Sequence, residues 1–449
     1  MWVRSSSIRI QRNPSLSPFH QINSSTVQPL TPILHPSSLI THSLSLSLLS
    51  SVLSSDSLAI ARKKHEMMTE ITNLSSDLIE LILSLLPIPT LIRASTVCKL
   101  WHSIISSHSF STLSHHPHHP WFFLHGIHNI SSKNNQSFAF DPSSNTWFLL
   151  PSPNHPNNTS FIGSNSFLFI TAPNFLYTPI LHPSCHWHQT PSLHFPRINP
   201  LLSAFPSHNK NRNFTLPSFI VVGGVRFIGN LVDIEDRLDV EIYDPLLGSW
   251  SLAPPLPPDF RSGNSSSSLS SALFRGKFYV LGINSCFVSS FDLHQRVWSQ
   301  VHTVRPHGVV FSFLVACRNH LVLAGVCNFP HGSSSFVLWK VDEDTMGVSQ
   351  ISVMPHDLLC SMFDGDEDDK FASLKCVGLG DLVYVFNEEY HLMYPACVCE
   401  INGENGRCVW RKVPPLPSLM NRFHKVISFC STVSLHNILG DPQQPTLQY

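Results

Sequence analysis

The feature that most constrains this chain is a turn that recurs. An Asp is followed six residues later by a Trp in Asp141-Pro-Ser-Ser-Asn-Thr-Trp147, in Asp244-Pro-Leu-Leu-Gly-Ser-Trp250 and in Asp292-Leu-His-Gln-Arg-Val-Trp298. Each copy follows a short apolar or alternating run: Ser137–Phe140, Val240–Tyr243 or Ser289–Phe291. Such runs read as strands, the Asp-Pro or Asp-Leu step reverses the chain, and the Trp begins the next strand. Upstream of two copies lies a further apolar run that ends in glycine, Phe219–Gly224 with its doublet Gly223-Gly224, and Gly276–Gly282. Glycine at the end of such a strand is expected where a side chain would obstruct close strand approach near an axis.

Weaker copies fill the gaps: Ser166–Ile170 leading to Trp187, Asn319–Gly325 leading to Trp339, and Gly380–Phe386 leading to Trp410. Self-similarity at this period marks repeated β units that bury their faces against one another. The chain is therefore read as mainly β, with a propeller of about six blades over 121–437. Residues 438–449 are left as a tail. Uneven spacing puts long loops at 196–216 and 355–372, and apolar Val426–Leu435 is expected to close the ring with the first blade, which removes unpaired strand edges. A different β architecture, such as a β-sandwich, remains open on these patterns.

A different period governs residues 70–112. Ser75, Ser76 and Asp77 are candidate helix caps, Leu78, Ile82, Leu85 and Leu86 recur at helical spacing, and Pro87 with Pro89 stops the run. A second helix is expected over Thr90–Val97 with Leu91, Ala94 and Val97 inward, and a third through Trp101, Ile104 and Ile105. Below roughly 40 residues a lone core buries too little surface to offset chain entropy. Three short helices thus make either a docking module or a cap on the β body. Residues 113–120, rich in His and Pro, read as the linker.

At Leu74, Asp77-Leu78, Ile82-Leu83, Leu86-Pro87, Leu91, Arg93 and Val97-Cys98-Lys99-x-Trp101 the chain resembles an F-box. The resemblance implies that Leu74, Leu78, Ile82, Leu86, Pro87, Val97, Cys98 and Trp101 form the surface or core that engages a Skp1-type adaptor, with Trp101 alternatively holding the helices together. One departure, Ser75 where the family has proline, is expected to loosen the opening turn. The doublet Gly223-Gly224, the Tyr243-Asp244-Pro245 turn and the Asp141/Trp147, Asp244/Trp250 and Asp292/Trp298 pairs resemble kelch repeats. Together these resemblances imply a non-catalytic substrate adaptor of a Skp1–cullin–F-box ubiquitin ligase. Its partners would be a Skp1-type subunit, through it a cullin, and a protein substrate. A free-standing scaffold or sensor is the rival reading. A metal-dependent oxidase, a chemistry some kelch-fold propellers carry, is a third.

Composition narrows the partners. The 449 residues carry a formal net charge of −1 with 13% charged residues, so nothing global steers the chain to nucleic acid or an anionic membrane. No apolar run reaches the ~18 residues that would suggest a membrane helix. The 11 cysteines lack zinc-like spacing and suggest free thiols in the cytosol or nucleus. Residues 1–66 read as a disordered extension, a transit peptide, or a segment upstream of a later start at Met67 or Met68. No catalytic residue, cofactor or metal site is singled out. His115, His116, His118 and His119 lie among linker prolines, and the acidic run Asp364–Asp369 has Lys375 where a calcium loop needs glutamate.

Overall fold

The computed structural model describes residues 75–107, 109–110, 120–150, 161–171, 174–181, 187–206, 217–228, 231–233, 238–260, 268–328, 334–363, 373–389, 395–402, 407–420 and 423–433. Leu74, the linker histidines and the acidic run lie outside the described residues.

Three short helices open the described chain: α1 (Ser76–Ser84), α2 (Ile88–Ser95) and α3 (Lys99–Ile105). Of the candidate caps, Ser75 takes the role, its Oγ accepting the Leu78 N–H at 3.4 Å. The residue expected to loosen the first turn instead satisfies one of its orphan donors. The second helix starts two residues earlier than expected, because proline is tolerated in a first helical turn, where its missing N–H has no partner to lose. Cys98 caps α3, its Sγ accepting the Trp101 N–H at 3.4 Å. Ile79, Leu83, Leu91, Ala94, Ile105 and Phe110 form the buried core of this unit. Val97, expected inward, lies beyond the end of α2 and is 64% exposed.

The β body is a ring of six antiparallel sheets. The first holds β1 (Trp121–His128), β2 (Gln136–Asp141), β3 (Thr146–Leu150) and, as its innermost strand, β27 (His424–Ser431). The second is β4 (Ile162–Ser164), β5 (Phe167–Ile170), β6 (Leu176–Pro179) and β7 (His188–Gln189). The third is β8 (Leu201–Pro206), β9 (Pro217–Val222), β12 (Val240–Asp244) and β13 (Ser249–Ala253), and β10 (Arg226–Ile228) pairs with β11 (Leu231–Asp233) in a ribbon between β9 and β12. The fourth runs β14 (Leu269–Phe274), β15 (Lys277–Gly282), β16 (Phe287–Asp292) and β17 (Val297–Trp298), with β18 (His302–Thr303) also on β16. The fifth is β19 (Val309–Ala316) to β22 (Val348–Val353) through β20 (Leu321–Cys327) and β21 (Ser335–Val341). The sixth is β23 (Leu374–Leu379), β24 (Leu382–Asn387), β25 (Cys397–Ile401) and β26 (Cys408–Lys412).

Alternation along each strand explains why the sheets stack as blades. In β9, Phe219 and Val221 enter the core shared with the second sheet, while Ile220 and Val222 enter the core shared with the fourth. A strand apolar on both faces needs a neighbour on each side. The ring closes where β27 pairs with β1 from Trp121 opposite Ser431 to His128 opposite His424. This closing strand begins and ends earlier than the expected Val426–Leu435. The expected long loop at 196–216 contains β8, and 355–372 contains a short helix, α4 (His356–Cys360).

The recurring Asp stabilises its turn through its own carboxylate. Asp141 Oδ1 accepts the Ser143 N–H at 2.9 Å, Asp244 Oδ1 the Leu246 N–H at 2.8 Å, and Asp292 Oδ1 the His294 and Gln295 N–H groups at 2.9 and 2.8 Å. Four residues after each Asp the backbone turns left-handed, at Asn145, Gly248 and Arg296. Asp342 makes a further copy, with Met346 left-handed and the Thr345 N–H at 2.8 Å from Oδ1. It escapes a Trp-based search because Val348 stands in the Trp position.

Each Trp in turn fastens its blade to the one before. Trp147, Trp250 and Trp298 donate Nε1–H to the carbonyls of Pro414, Pro191 and Pro254 at 2.8, 2.8 and 2.9 Å. Trp250 is the most deeply placed of the three. Trp250→Phe should lower stability by about 1 kcal/mol, the net worth of one hydrogen bond, because the Thr190 hydroxyl still donates to the Pro191 carbonyl at 2.8 Å. Urea denaturation followed by the remaining tryptophans measures this, and an unchanged midpoint would show that the bond carries no weight.

The glycine doublet serves turn geometry. Gly223 and Gly224 both have positive φ, and a Cβ on Gly224 would sit 3.1 Å from the Ile198 carbonyl. Close strand approach is instead the role of Gly325, where a Cβ would lie 2.6 Å from the Phe311 carbonyl.

Beside the doublet lies an ion pair absent from the sequence reading. Arg197 and Glu241 have fully buried side chains joined at 2.6 Å. Arg197 also donates to the carbonyls of Phe195, Gly223 and Asp239, and Glu241 accepts the His194 and Phe195 N–H groups at 2.7 and 3.1 Å. The pair thus ties the segment before β8 to β9 and β12. Glu241→Ala strands a buried guanidinium and should cost about 3–5 kcal/mol, and Arg197→Met with Glu241→Leu should not recover it, because the backbone groups that the pair satisfies lose these partners. Guanidinium denaturation of the three proteins tests this, and a single variant as stable as wild type would contradict it.

Candidate functional site

Two regions of the chain expose features that its own core does not use. The first is the outer side of the helical unit. Helix α1 is apolar on two stripes: Ile79 and Leu83 face the core, while Leu78, Leu81, Ile82 and Leu85 face outward. The helical spacing of Leu78, Ile82 and Leu85 seen in the sequence is therefore that of the exposed stripe. Leu85, Leu81 and Leu100 of α3 are 70%, 59% and 50% exposed. A helix with two apolar stripes belongs between two partners, and the described residues supply one of them.

The residues expected at the docking surface divide accordingly. Leu78, Ile82, Pro87, Val97 and Cys98 are exposed, whereas Leu86 and Trp101 are half-buried against the helical core. Leu81 and Leu100 have no place in the expected docking surface and Leu85 enters the sequence pattern only for its helical spacing, although Leu81 and Leu85 complete the i, i+3, i+4, i+7 series that starts at Leu78. Ile88, at the start of α2, touches both the helical core and the cluster around Trp121.

The second region is one end of the propeller. The chain enters β1 at Trp121, opposite the last residue of β27, so it joins the ring at the end where the inner strands finish and the Asp turns lie. The other end carries the connections into each inner strand, among them 190–200, 254–260, 304–308 and α4. Of the expected 196–216 loop, 196–200 lies at this other end, β8 crosses the blade, and 207–216 lies outside the described residues. A central channel of ≈ 530 Å³ runs along the axis, lined by residues of the innermost strands of all six sheets.

Among the described residues no group of three His, Cys, Asp or Glu side chains converges as a metal site. Burial pushes the thiols of Cys317 and Cys397 up to about 12 and that of Cys327 to about 11, which keeps them protonated and poorly nucleophilic. No described helix is long and apolar enough to cross a membrane.

Comparison with known proteins accords with both regions. Residues 71–113 match the F-box domain family. An F-box/kelch-repeat protein of Arabidopsis thaliana is 26% identical over 82% of this chain and 92% of its own length. A second F-box/kelch-repeat protein of that plant is 34% identical over 20% of this chain and 22% of its own. A fungal alcohol oxidase solved with copper aligns over 64% of this chain and 60% of its own, at TM-score 0.35 and 11% identity, a distance that carries no argument about chemistry.

Proposed function

We propose that this F-box/kelch-repeat protein is the substrate-recognition subunit of a Skp1–cullin–F-box ubiquitin ligase. The observation that carries the reading is the outward stripe of α1 with Val97 and Leu100, apolar side chains that the described residues leave uncovered. Seated in a groove of a Skp1-type adaptor, that stripe would lose the water it now contacts, the main driving force of helix-in-groove recognition. The propeller would hold a protein target at its far end, away from the point where the helices join the ring.

In this reading the chain contributes position, and a separate ubiquitin-charged enzyme supplies the chemistry. It acts in the cytosol or nucleus. The test is co-purification of the tagged full chain from plant cells. A Skp1-type protein and a cullin should both be retained. Retention of the Skp1-type protein without a cullin would favour a scaffold, and retention of neither would remove the reading.

A further inference from the structure

Among the described residues the central channel is neutral around most of its mouth and charged at one place. Lys375, second residue of β23, and Lys425, second residue of β27, come from the innermost strands of adjacent blades at the end away from the helices. Glu388 follows β24 at the same end, and all three line the channel. Elsewhere the same end is lined by Phe161, Ile162, Leu201, Leu269 and Ile283.

Lys375 and Glu388 form a loose ion pair. Lys375 Nζ stands 3.8 Å from Glu388 Oε2, too far for a hydrogen bond, and 5.8 Å above the Phe313 ring. Lys425 is exposed, with no carboxylate at ion-pair distance among the described residues. Deeper in the channel Ser428 Oγ is buried without a hydrogen-bond partner. Glu388 feels both ammonium groups: desolvation raises its pKa, Lys375 and Lys425 oppose the rise, and Glu389 adds to it. Four charged groups therefore share one partly dry field.

We infer that the mouth of the central channel is a carboxylate-binding site, in which Lys375 and Lys425 receive an Asp or Glu side chain of the captured protein. The inference rests on the proposal that the propeller captures a protein. Glu388 offsets Lys375 in part and Glu389 adds a second carboxylate beside it, so Lys425 is the ammonium left to take a single carboxylate, and a phosphate dianion would overshoot it. Flexible ammonium donors suit a single carboxylate, whereas phosphate sites favour the bidentate fork of arginine. A low-dielectric wall strengthens the attraction relative to the open surface, and Phe313 keeps one side of Lys375 dry.

The experiment uses the full chain and a fluorescein-labelled hexaglutamate peptide as probe, followed by anisotropy at low ionic strength. Wild type should bind saturably, and Lys375→Gln or Lys425→Gln should each weaken binding roughly tenfold, as for loss of one charge-assisted hydrogen bond. The double variant should not bind, and Glu388→Gln should tighten binding because it removes a competing carboxylate. Lys425 is exposed, so its substitution leaves the packing intact and decides the matter if the Lys375 variant misfolds. Equal binding by wild type and Lys425→Gln, or no saturable binding by wild type, overturns the inference. Stronger displacement of the peptide by inorganic phosphate than by acetate at matched ionic strength overturns the choice of carboxylate. Capture of a Skp1-type protein by the same preparations is scored separately: its loss with peptide binding intact refutes the ligase reading and leaves the anion site standing.

Discussion

A chain that stops at Phe423 should have no stable propeller. The missing strand, β27, is the innermost strand of the first blade, and its whole length pairs with β1. It buries Val426 against the sixth blade and Phe429 against the second, and within its own blade Phe429 stacks on Phe123 of β1 with ring centroids 5.3 Å apart. Gly163 of β4 is moulded to that ring, since a Cβ there would fall within it. Val433, just beyond, is buried in the same core. Burial of three such side chains is worth about 5–9 kcal/mol, to set against a net stability of about 5–15 kcal/mol for a whole domain. Truncation also exposes the edge of β1 to other chains. Near-ultraviolet circular dichroism and limited proteolysis provide the measurement. A truncated chain with the denaturation midpoint of the full one would show that the ring does not depend on its last strand.

Leu78→Asp combined with Ile82→Asp should cut affinity for a Skp1-type protein by about a thousandfold while leaving the fold intact. Truncating a central apolar anchor costs about 2 kcal/mol or more, and two such losses on one stripe come to about 4 kcal/mol. Both side chains are about half exposed, so a charge there meets water in the free chain. Leu83→Asp makes the contrasting case. Leu83 is 2% exposed, and a carboxylate in that position would unfold the helical unit itself. Leu86 is a poorer choice for the same reason, because it packs on the helical core. Calorimetric titration of the two variants, with melting curves for each, separates loss of contact from loss of fold. Undiminished affinity in the Leu78/Ile82 variant would place the docking surface elsewhere.

The sequence reading worked where a period or a turn left a local mark. Asp141, Asp244 and Asp292 each announce a hairpin because the carboxylate acts on N–H groups two and three residues away. The closing strand was legible from its apolar run. Pairs remote in sequence leave no such mark. Arg197 and Glu241 meet through the fold across 44 positions, and the one local hint is a glutamate inside the apolar run Val240–Tyr243. Strand β8 was hidden in an expected loop because its residues, Leu201–Pro206, lack an Asp turn and are short.

The helical unit shows a subtler limit. Periodicity establishes that Leu78, Ile82 and Leu85 share one face, and it is silent about whether that face looks inward. When a helix carries two apolar stripes, only packing tells them apart, and here Ile79 and Leu83 took the core. Val97 was expected to face inward because the helix was extended to include it; α2 ends at Ser95, so the side chain points to water. Lys375 and Lys425 lie 50 positions apart in unremarkable contexts, and the ring brings both to one mouth of the channel.

The adaptor account is tested most directly by the mass of the species formed when the purified full chain is mixed with a Skp1-type protein and a cullin and passed through size exclusion with light scattering. The account predicts one complex containing one copy of each, lost when Leu78 and Ile82 are both replaced by aspartate. A cooperatively folded wild-type chain that elutes alone from the same mixture would contradict it.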